Sequence, residues 1–170
     1  METKPSSKLV KSHFEWDIFK QAFDAAMQVF HLTKSFPVEE RFSLTDQVRR
    51  SSRGVSANIA EAWRRRRYKG TFLMRLNDAE AEAAETQTWL AHAVHCDYLK
   101  REQVSEIMRR YETIIGTLVN LSCHPEPWLL PTPSDSTQAS TQSRRAATPN
   151  PNPSKPQNPN SPSNQGSPKT

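Results

Sequence analysis

Hydrophobic residues recur every three or four positions along four stretches of the chain, which is the period of an α-helix. The first stretch runs from about Glu15 to Lys34 and carries two neighbouring apolar rows. The rows are Trp16, Phe19, Phe23, Met27 and Phe30, and Ile18, Ala22, Ala25, Val29 and Leu32. A helix with this much apolar surface is covered on two sides, so we expect one side in the protein interior and the other against a second subunit.

The second predicted helix begins near Ser43 or Thr45 and ends at about Arg65, after a short turn of helix over 37–42. Gly54 and the small residues around it predict a closely packed neighbour, because a glycine costs roughly 1 kcal/mol in a helix. Its expected core positions are Leu44, Val48, Ser51 or Ser52, Val55, Ile59 and Ala62 or Trp63.

The third predicted helix runs from about Thr71, a candidate N-cap that follows Gly70, to His95, and the fourth runs from about Lys100 to Leu121. The links between the last three helices are short, which favours antiparallel neighbours in an up-down bundle. We expect Trp128 to pack back on this bundle. The expected core positions are Phe72, Leu73, Leu76, Ala79, Ala83, Leu90 and Val94 in the third helix, and Val104, Ile107, Met108, Tyr111, Ile114 or Ile115, Leu118 and Leu121 in the fourth.

Composition limits the part of the chain that can fold. The chain has 170 residues and 13 prolines, and 9 of the prolines lie from Pro131 onward among Ser, Thr, Asn and Gln. Such a segment cannot bury enough apolar surface to offset its chain entropy. We therefore predict a disordered segment at 1–12, a folded domain at 13–130 and a disordered tail at 131–170.

The same composition excludes several classes of protein. With 4 glycines the chain has little scope for a glycine-rich phosphate loop, and 2 cysteines cannot make a disulfide framework or a four-ligand zinc site. No run of 18 uncharged apolar residues occurs, and the first residues lead into no apolar segment typical of a secretion signal. We expect a cytoplasmic protein that needs no cofactor.

The net charge of +5 comes from one block of the sequence. Residues 41–75 carry ten basic and two acidic side chains, whereas residues 76–130 carry four basic and nine acidic ones. A helical wheel places the arginines of the second helix on the face opposite its core. Arginine matches phosphate with planar, forked donors, so this surface is a candidate for contact with the nucleic-acid backbone rather than for base stacking. The candidate residues are Arg49, Arg50, Arg53, Arg64, Arg65, Arg66, Arg67, Lys69 and Arg75.

Other polar residues of the helices are predicted to be structural. Asn58, Glu61, Glu85 and Gln87 are expected to form a polar network that fixes helix register. No Glu-x-x-His sequence occurs, so we predict no di-iron site. The spacing of His92, His95 and Cys96 is compatible with metal ligands, but an ordinary helix end explains it better, and we predict no metal site.

Four sequence motifs resemble a known bacterial family. They are Phe36-Pro-Val-Glu-Glu-Arg-Phe-Ser-Leu-Thr-Asp-Gln-Val-Arg-Arg-Ser-Ser, Val55-Ser-Ala-Asn-Ile-Ala-Glu, Glu82-Ala-Ala-Glu-Thr-Gln-Thr-Trp-Leu and Cys96-Asp-Tyr-Leu. In order and spacing they resemble the four-helix-bundle family of proteins encoded in intervening sequences of 23S ribosomal RNA genes. This family includes the accessory variability determinant of diversity-generating retroelements, and the resemblance covers roughly Trp16–Leu121.

The resemblance implies an all-α, antiparallel up-down bundle that assembles as a homopentameric ring or barrel and has no enzymatic activity. It also implies nucleic acid as a partner and, for a retroelement member, a reverse transcriptase. Two positions depart from the family pattern: Ala62 and Asp97 stand where the family usually has glycine. The alanine predicts a more continuous second helix in this chain.

Two hypotheses of function follow from these residues. In the first, the arginines bind the backbone of nucleic acid, either RNA or RNA/DNA. A reverse transcriptase joins the complex if the gene belongs to a retroelement. In the alternative, the protein is a structural interaction bundle without a nucleic-acid role, and its arginines form ion pairs between subunits.

Overall fold

The computed structural model describes residues 11–131, which lie in one compact unit. The predicted disorder of the first ten residues and of the tail from 132 onward falls outside the described residues. Four helices make up most of the described part. They are α1 (Asp17–Leu32), α2 (Leu44–Arg64), α3 (Lys69–His95) and α4 (Arg101–Cys123).

Short 3-10 turns join or flank these helices at His13–Glu15, Thr33–Ser35, Val38–Phe42 and Glu126–Trp128. Residues 11–131 contain no β-strand. The predictions of an all-α fold, of four helices and of a short turn before the second helix are therefore confirmed. None of the helices in this part of the chain is long and apolar enough to cross a membrane.

The helices enclose one hydrophobic core. α2 contacts α1 and α3, and α4 contacts α3 and α1, so each helix packs against two others. The predicted core row of α2 is buried, and so is that of α4 except for Met108, which is partly buried. In α1 the buried row is Ile18, Ala22, Ala25 and Val29, while Phe23 and Met27 of the other row are 48% and 40% exposed.

Contacts between α2 and α3 run in opposite order along the two helices. Ser51 is hydrogen-bonded to Thr86, and further along α2 Gly54 faces Glu82. Further still, Asn58 is hydrogen-bonded to Arg75. The partner's number thus falls as the number along α2 rises. This register places the end of α2 beside the beginning of α3.

The beginning of α3 differs from the prediction. The helix starts at Lys69 with Tyr68 at the N-cap position, so Thr71 is not the cap and Gly70 lies inside the first turn. The hydroxyl of Thr71 donates to the Tyr68 carbonyl at 3.0 Å, which explains why it does not cap an amide of the helix. α2 itself continues through Ala62 to Arg64, as the alanine predicted.

The chain after α4 returns to the bundle, as expected. The ring of Trp128 lies 5.1 Å from that of Trp16, which lies 5.3 Å from that of Trp63. The amide of Leu130 donates to the carbonyl of Arg66 at 3.0 Å. These contacts hold the segment after α4 against the turn between α2 and α3.

Candidate nucleic-acid interface

Three of the nine predicted basic residues are exposed and lack an ion-pair partner within residues 11–131. They are Arg53 in α2, Arg64 at its end, and Arg67 in the turn before α3. Unpaired guanidinium groups keep all five N–H donors available to a ligand. We call these three residues the free arginines.

A groove runs beside the first half of α2, and we call it the basic groove. It has a volume of ≈ 460 Å³. Four arginines line it against one aspartate, Asp46, so its potential is positive. The lining residues are Arg41, Phe42, Thr45, Asp46, Arg49, Arg50 and Arg53.

The Arg49 side chain lies closer to the core than the helical wheel predicted. Its Nε donates to Thr33 Oγ1 at 2.7 Å, and its guanidinium lies 5.1 Å from the centre of the Phe30 ring. The residue is therefore half-buried against the end of α1. The wheel gives the direction of Cβ only, whereas a long side chain can turn toward an acceptor within its reach.

Arg50 makes two contacts at the rim of the basic groove. It donates to Gln47 Oε1 at 2.6 Å and lies 3.8 Å from Glu85 Oε1. The Arg50 side chain is 67% exposed, so the longer contact contributes little to stability. Arg50 can therefore turn toward an anionic ligand without breaking a buried interaction.

Arg66 is structural, unlike its neighbours in the turn between α2 and α3. Its guanidinium lies 3.3 Å from the centre of the Trp63 ring, and its Nε donates to the Trp63 carbonyl at 2.7 Å. Burial, followed by the charge of Arg64, lowers the pKa of Arg66. We predicted that Arg66 would be one of the residues that bind nucleic acid. In the structure it is instead turned inward, because the ring and the carbonyl of Trp63 hold its guanidinium.

Two other predicted residues of this turn form ion pairs at the surface. Arg65 lies 3.6 Å from Glu61, and Lys69 lies 2.8 Å from Glu126. The hydrogen bond from Lys69 lowers the pKa of Glu126. Both pairs are largely exposed, so an anionic ligand can compete for the basic partner at small energetic cost.

Arg75 joins the predicted polar residues of α2 to α3. Its guanidinium lies 3.0 Å from Glu61, 3.1 Å from Asp78 and 3.2 Å from the Asn58 side-chain oxygen. Its side chain is only 26% exposed. With three acceptors around it, Arg75 is a link between helices and offers few donors to a ligand.

The other members of the predicted polar network lie apart from this link. Gln87 donates to the Met108 carbonyl at 3.3 Å and to Glu112 at 3.2 Å, both in α4. Glu85 accepts from the Trp89 indole at 2.9 Å. Asn58 and Glu61 thus share the Arg75 link, whereas Glu85 and Gln87 belong to other contacts, so the four residues do not form one network. The interior polar pair between α2 and α3 is Thr86 with Ser51, at 2.9 Å.

The predicted histidine and cysteine positions lie at the exposed end of α3. His92, His95 and Cys96 are all exposed, as is Cys123 at the end of α4. Within the described part of the chain, no three His, Cys, Asp or Glu residues are grouped closely enough to hold a metal ion.

Arg41 and Phe42 are residues of this interface that the sequence reasoning did not select. They lie in the 3-10 turn before α2, where helical periodicity does not apply. Phe42 is 85% exposed although it is large and apolar, and Arg41 lies 5.1 Å from its ring centre. The available signal was an Arg-Phe pair immediately before a helix rich in arginine.

Comparison with known proteins agrees with this fold. The family model for 23S rRNA-intervening sequence proteins matches residues 15–120. A solved crystal structure of a protein of unknown function from the S23 ribosomal protein family of Bacteroides thetaiotaomicron is 28% identical. The alignment covers 62% of this chain and 97% of that chain, with a TM-score of 0.57. Among curated proteins there is no significant match.

The family match spans more than half of the chain and coincides closely with the predicted extent of the resemblance. The chain therefore belongs to the family of 23S rRNA-intervening sequence proteins.

Proposed function

We propose that this member of the 23S rRNA-intervening sequence family is a non-enzymatic, oligomeric scaffold that binds the phosphate backbone of RNA or DNA. The observation that carries the proposal is the set of free arginines, Arg53, Arg64 and Arg67. They extend from the basic groove along α2 to the turn between α2 and α3. A row of this kind suits a ligand with regularly repeated negative charges.

The chemistry of arginine favours phosphate as the ligand of this surface. A guanidinium donates two parallel hydrogen bonds to a phosphate and remains charged at any physiological pH. Binding also releases counterions from the nucleic acid, which adds a favourable entropy that surface ion pairs within a protein lack. No base-edge contact is required, so we expect binding with little sequence preference.

A comparison of two triple variants tests this function. The first replaces the free arginines, as Arg53→Gln, Arg64→Gln and Arg67→Gln. The matched control, Lys20→Gln, Arg109→Gln and Arg110→Gln, removes the same charge from exposed residues that pair with carboxylates in α1 and α4. Fluorescence anisotropy with a labelled single-stranded RNA at low salt gives the affinity of each protein.

We expect the first variant to bind at least about ten-fold more weakly than the wild type, since each lost phosphate contact removes a charge-assisted hydrogen bond. The control should lose much less. Wild-type protein that does not bind RNA or single-stranded DNA at low salt, or equal losses in the two variants, would refute the proposal.

We propose that the protein is an antiparallel up-down bundle that assembles as a homopentameric ring or barrel and that it acts in the cytoplasm. Phe23 and Met27 of α1 and Phe14 of the preceding 3-10 turn are exposed, and they support a subunit contact. The ring of the buried Phe19 lies between those of Phe14 and Phe23, with centroid distances of 5.4 and 6.1 Å. Exposed apolar rows of this kind are typical of subunit contacts. Light scattering of Phe23→Asp should show smaller particles, whereas unchanged mass would exclude this row from the contact.

A reverse transcriptase is the protein partner that we propose if the gene belongs to a diversity-generating retroelement. The basic surface supports this partner only indirectly, through the RNA that both proteins would hold. Co-purification of the two proteins before and after ribonuclease treatment tests the point. Failure to co-purify under either condition would exclude the partner.

The alternative function is an interaction bundle whose arginines pair with carboxylates of neighbouring subunits. It is favoured by the carboxylate pairing that Arg75 and Lys69 already show within one chain. Under this alternative, the free-arginine variant would fall apart into smaller particles and wild-type protein would not bind RNA. Under our proposal, the variant keeps its mass in light scattering and loses only RNA.

A further inference from the structure

Phe42 stands on a ridge between the basic groove and a second surface groove. The second groove has a volume of ≈ 490 Å³ and is lined by Gln47, Trp89 and His92 as well as by Phe42. Phe42 is thus the residue that both grooves share. Its 85% exposure leaves the ring available to a ligand that lies across the ridge.

Packing of the single chain does not account for this exposed ring. Phe36, on the other side of the same turn, is buried and lies 5.8 Å from Tyr98, so it already anchors the turn to the bundle. Glu40 anchors it further by accepting from the Tyr98 hydroxyl at 3.0 Å. The turn is therefore held in place independently of Phe42, which it presents to solvent.

The two grooves differ in the chemistry they offer. The basic groove presents four guanidinium groups, which suit phosphates. The second groove presents the rings of Trp89 and His92, whose centres are 5.6 Å apart, and the side-chain amide of Gln47. Aromatic rings and an amide suit a nucleobase, which stacks through its face and hydrogen-bonds through its edge.

We infer that this ridge binds single-stranded nucleic acid, with phosphates in the basic groove and an unpaired base against Phe42 and the second groove. The inference rests on the proposed function and narrows its ligand from nucleic acid in general to an unpaired strand. In a duplex the faces of internal bases are already stacked and cannot reach Phe42. Stacking on the ridge therefore adds affinity for a single strand only.

The experiment compares two labelled RNA strands of equal length and charge. One carries all its bases, and in the other the central nucleotides are abasic. Each is titrated at low salt with wild-type protein and with the variants Phe42→Ala, Phe42→Trp and Val38→Ala. Val38 is the matched control, since it is 84% exposed in the same turn and lines neither groove.

We expect Phe42→Ala to weaken binding of the base-bearing strand about ten-fold, which is within the range measured for the loss of one stacking aromatic. Binding of the abasic strand should be unchanged. Phe42→Trp should retain wild-type affinity for both strands, and Val38→Ala should change neither. In contrast, Arg50→Gln with Arg53→Gln should weaken binding of both strands equally.

Several results would overturn the inference. Equal losses for the two strands in Phe42→Ala would show that the ring does not meet a base, and the proposed backbone binding would still stand. A smaller particle mass for Phe42→Ala in light scattering would assign the ring to a subunit contact. If wild-type protein binds neither strand, the proposed function fails together with the inference.

Discussion

Asp97 adopts the left-handed backbone conformation, with φ 60°, immediately after α3. Its amide donates to the Val94 carbonyl at 3.1 Å, and the next amide, of Tyr98, donates to the Ala93 carbonyl at 2.9 Å. These two bonds define a Schellman motif, in which glycine is the usual residue at this position. The departure from the family pattern at Asp97 is therefore a site of local backbone strain.

Replacing Asp97 with glycine should stabilise the protein. Glycine adopts positive φ without the clash of Cβ, and we expect a gain of about 0.5–1 kcal/mol after its larger unfolded-state entropy is included. Urea denaturation measures the difference. The control Asp46→Gly, in the first turn of α2, should have the opposite effect, since its backbone is helical. A loss of stability in Asp97→Gly would contradict the strain argument.

Glu40 and Glu82 are carboxylates whose environments shift the pKa in opposite directions. Glu40 accepts hydrogen bonds from the Ser43 hydroxyl, the Leu44 amide and the Tyr98 hydroxyl, and these bonds lower its pKa. Burial, followed by repulsion from Glu85, raises the pKa of Glu82. The ionised form is thus stabilising at Glu40 and unfavourable at Glu82.

The two substitutions to glutamine should therefore have opposite effects at neutral pH. The stability that ionised Glu40 contributes to the fold is present above the ordinary carboxyl pKa of 4.5 and is lost as the pH falls through the lowered pKa. Glu40→Gln should therefore destabilise the protein at pH 7 and destabilise it less in acid. The stability that protonated Glu82 contributes to the fold is present below pH 4.5 and is lost as the pH rises through the raised pKa. Glu82→Gln should therefore stabilise the protein at pH 7. Urea denaturation across this pH range should show the two trends, and trends of the same sign would contradict the assignment.

At the scale of elements, the contact between α2 and α3 depends on Gly54. A Cβ at this position would lie 2.7 Å from the Glu82 carboxyl carbon, so the helix has no room for alanine while Glu82 keeps its place. The sequence predicted close packing at Gly54. It did not predict that the neighbour would be a carboxylate, since the lateral alignment of two helices is set by their whole interface.

A double-mutant cycle at these two positions tests the contact. Gly54→Ala should gain roughly 1 kcal/mol of helix propensity when Glu82 is already alanine, because the added methyl group then meets no carboxyl. In the wild-type background the gain should be smaller or absent, because the Glu82 side chain must move. Urea denaturation of the four proteins gives the coupling energy. Additive effects would show that Gly54 and Glu82 do not limit each other.

The comparison of sequence with structure shows which features periodicity can predict. The core rows of α2 and α4 were predictable because burial requires apolar residues on one face at helical spacing. The inward direction of the Arg66 and Arg49 side chains was not predictable from the sequence. It depends on a tryptophan ring and a threonine hydroxyl that the fold brings near them. Phe42 was missed because it lies in a 3-10 turn, outside any helical repeat.

At the scale of the whole molecule, basic and acidic residues are segregated along the sequence and only partly neutralise one another in the fold. Arg65, Lys69 and Arg75 are paired with carboxylates of the same chain. Arg53, Arg64 and Arg67 are exposed and have no ion-pair partner among residues 11–131. The central claim is that this unneutralised remainder binds phosphates.

The salt dependence of RNA binding tests that claim most directly. The logarithm of the association constant is plotted against the logarithm of the salt concentration for wild-type protein and for the free-arginine variant. Since each phosphate contact on a single strand contributes about 0.7 to the slope, the account predicts a slope smaller in magnitude by about 2 in the variant. Equal slopes in the two proteins would contradict it.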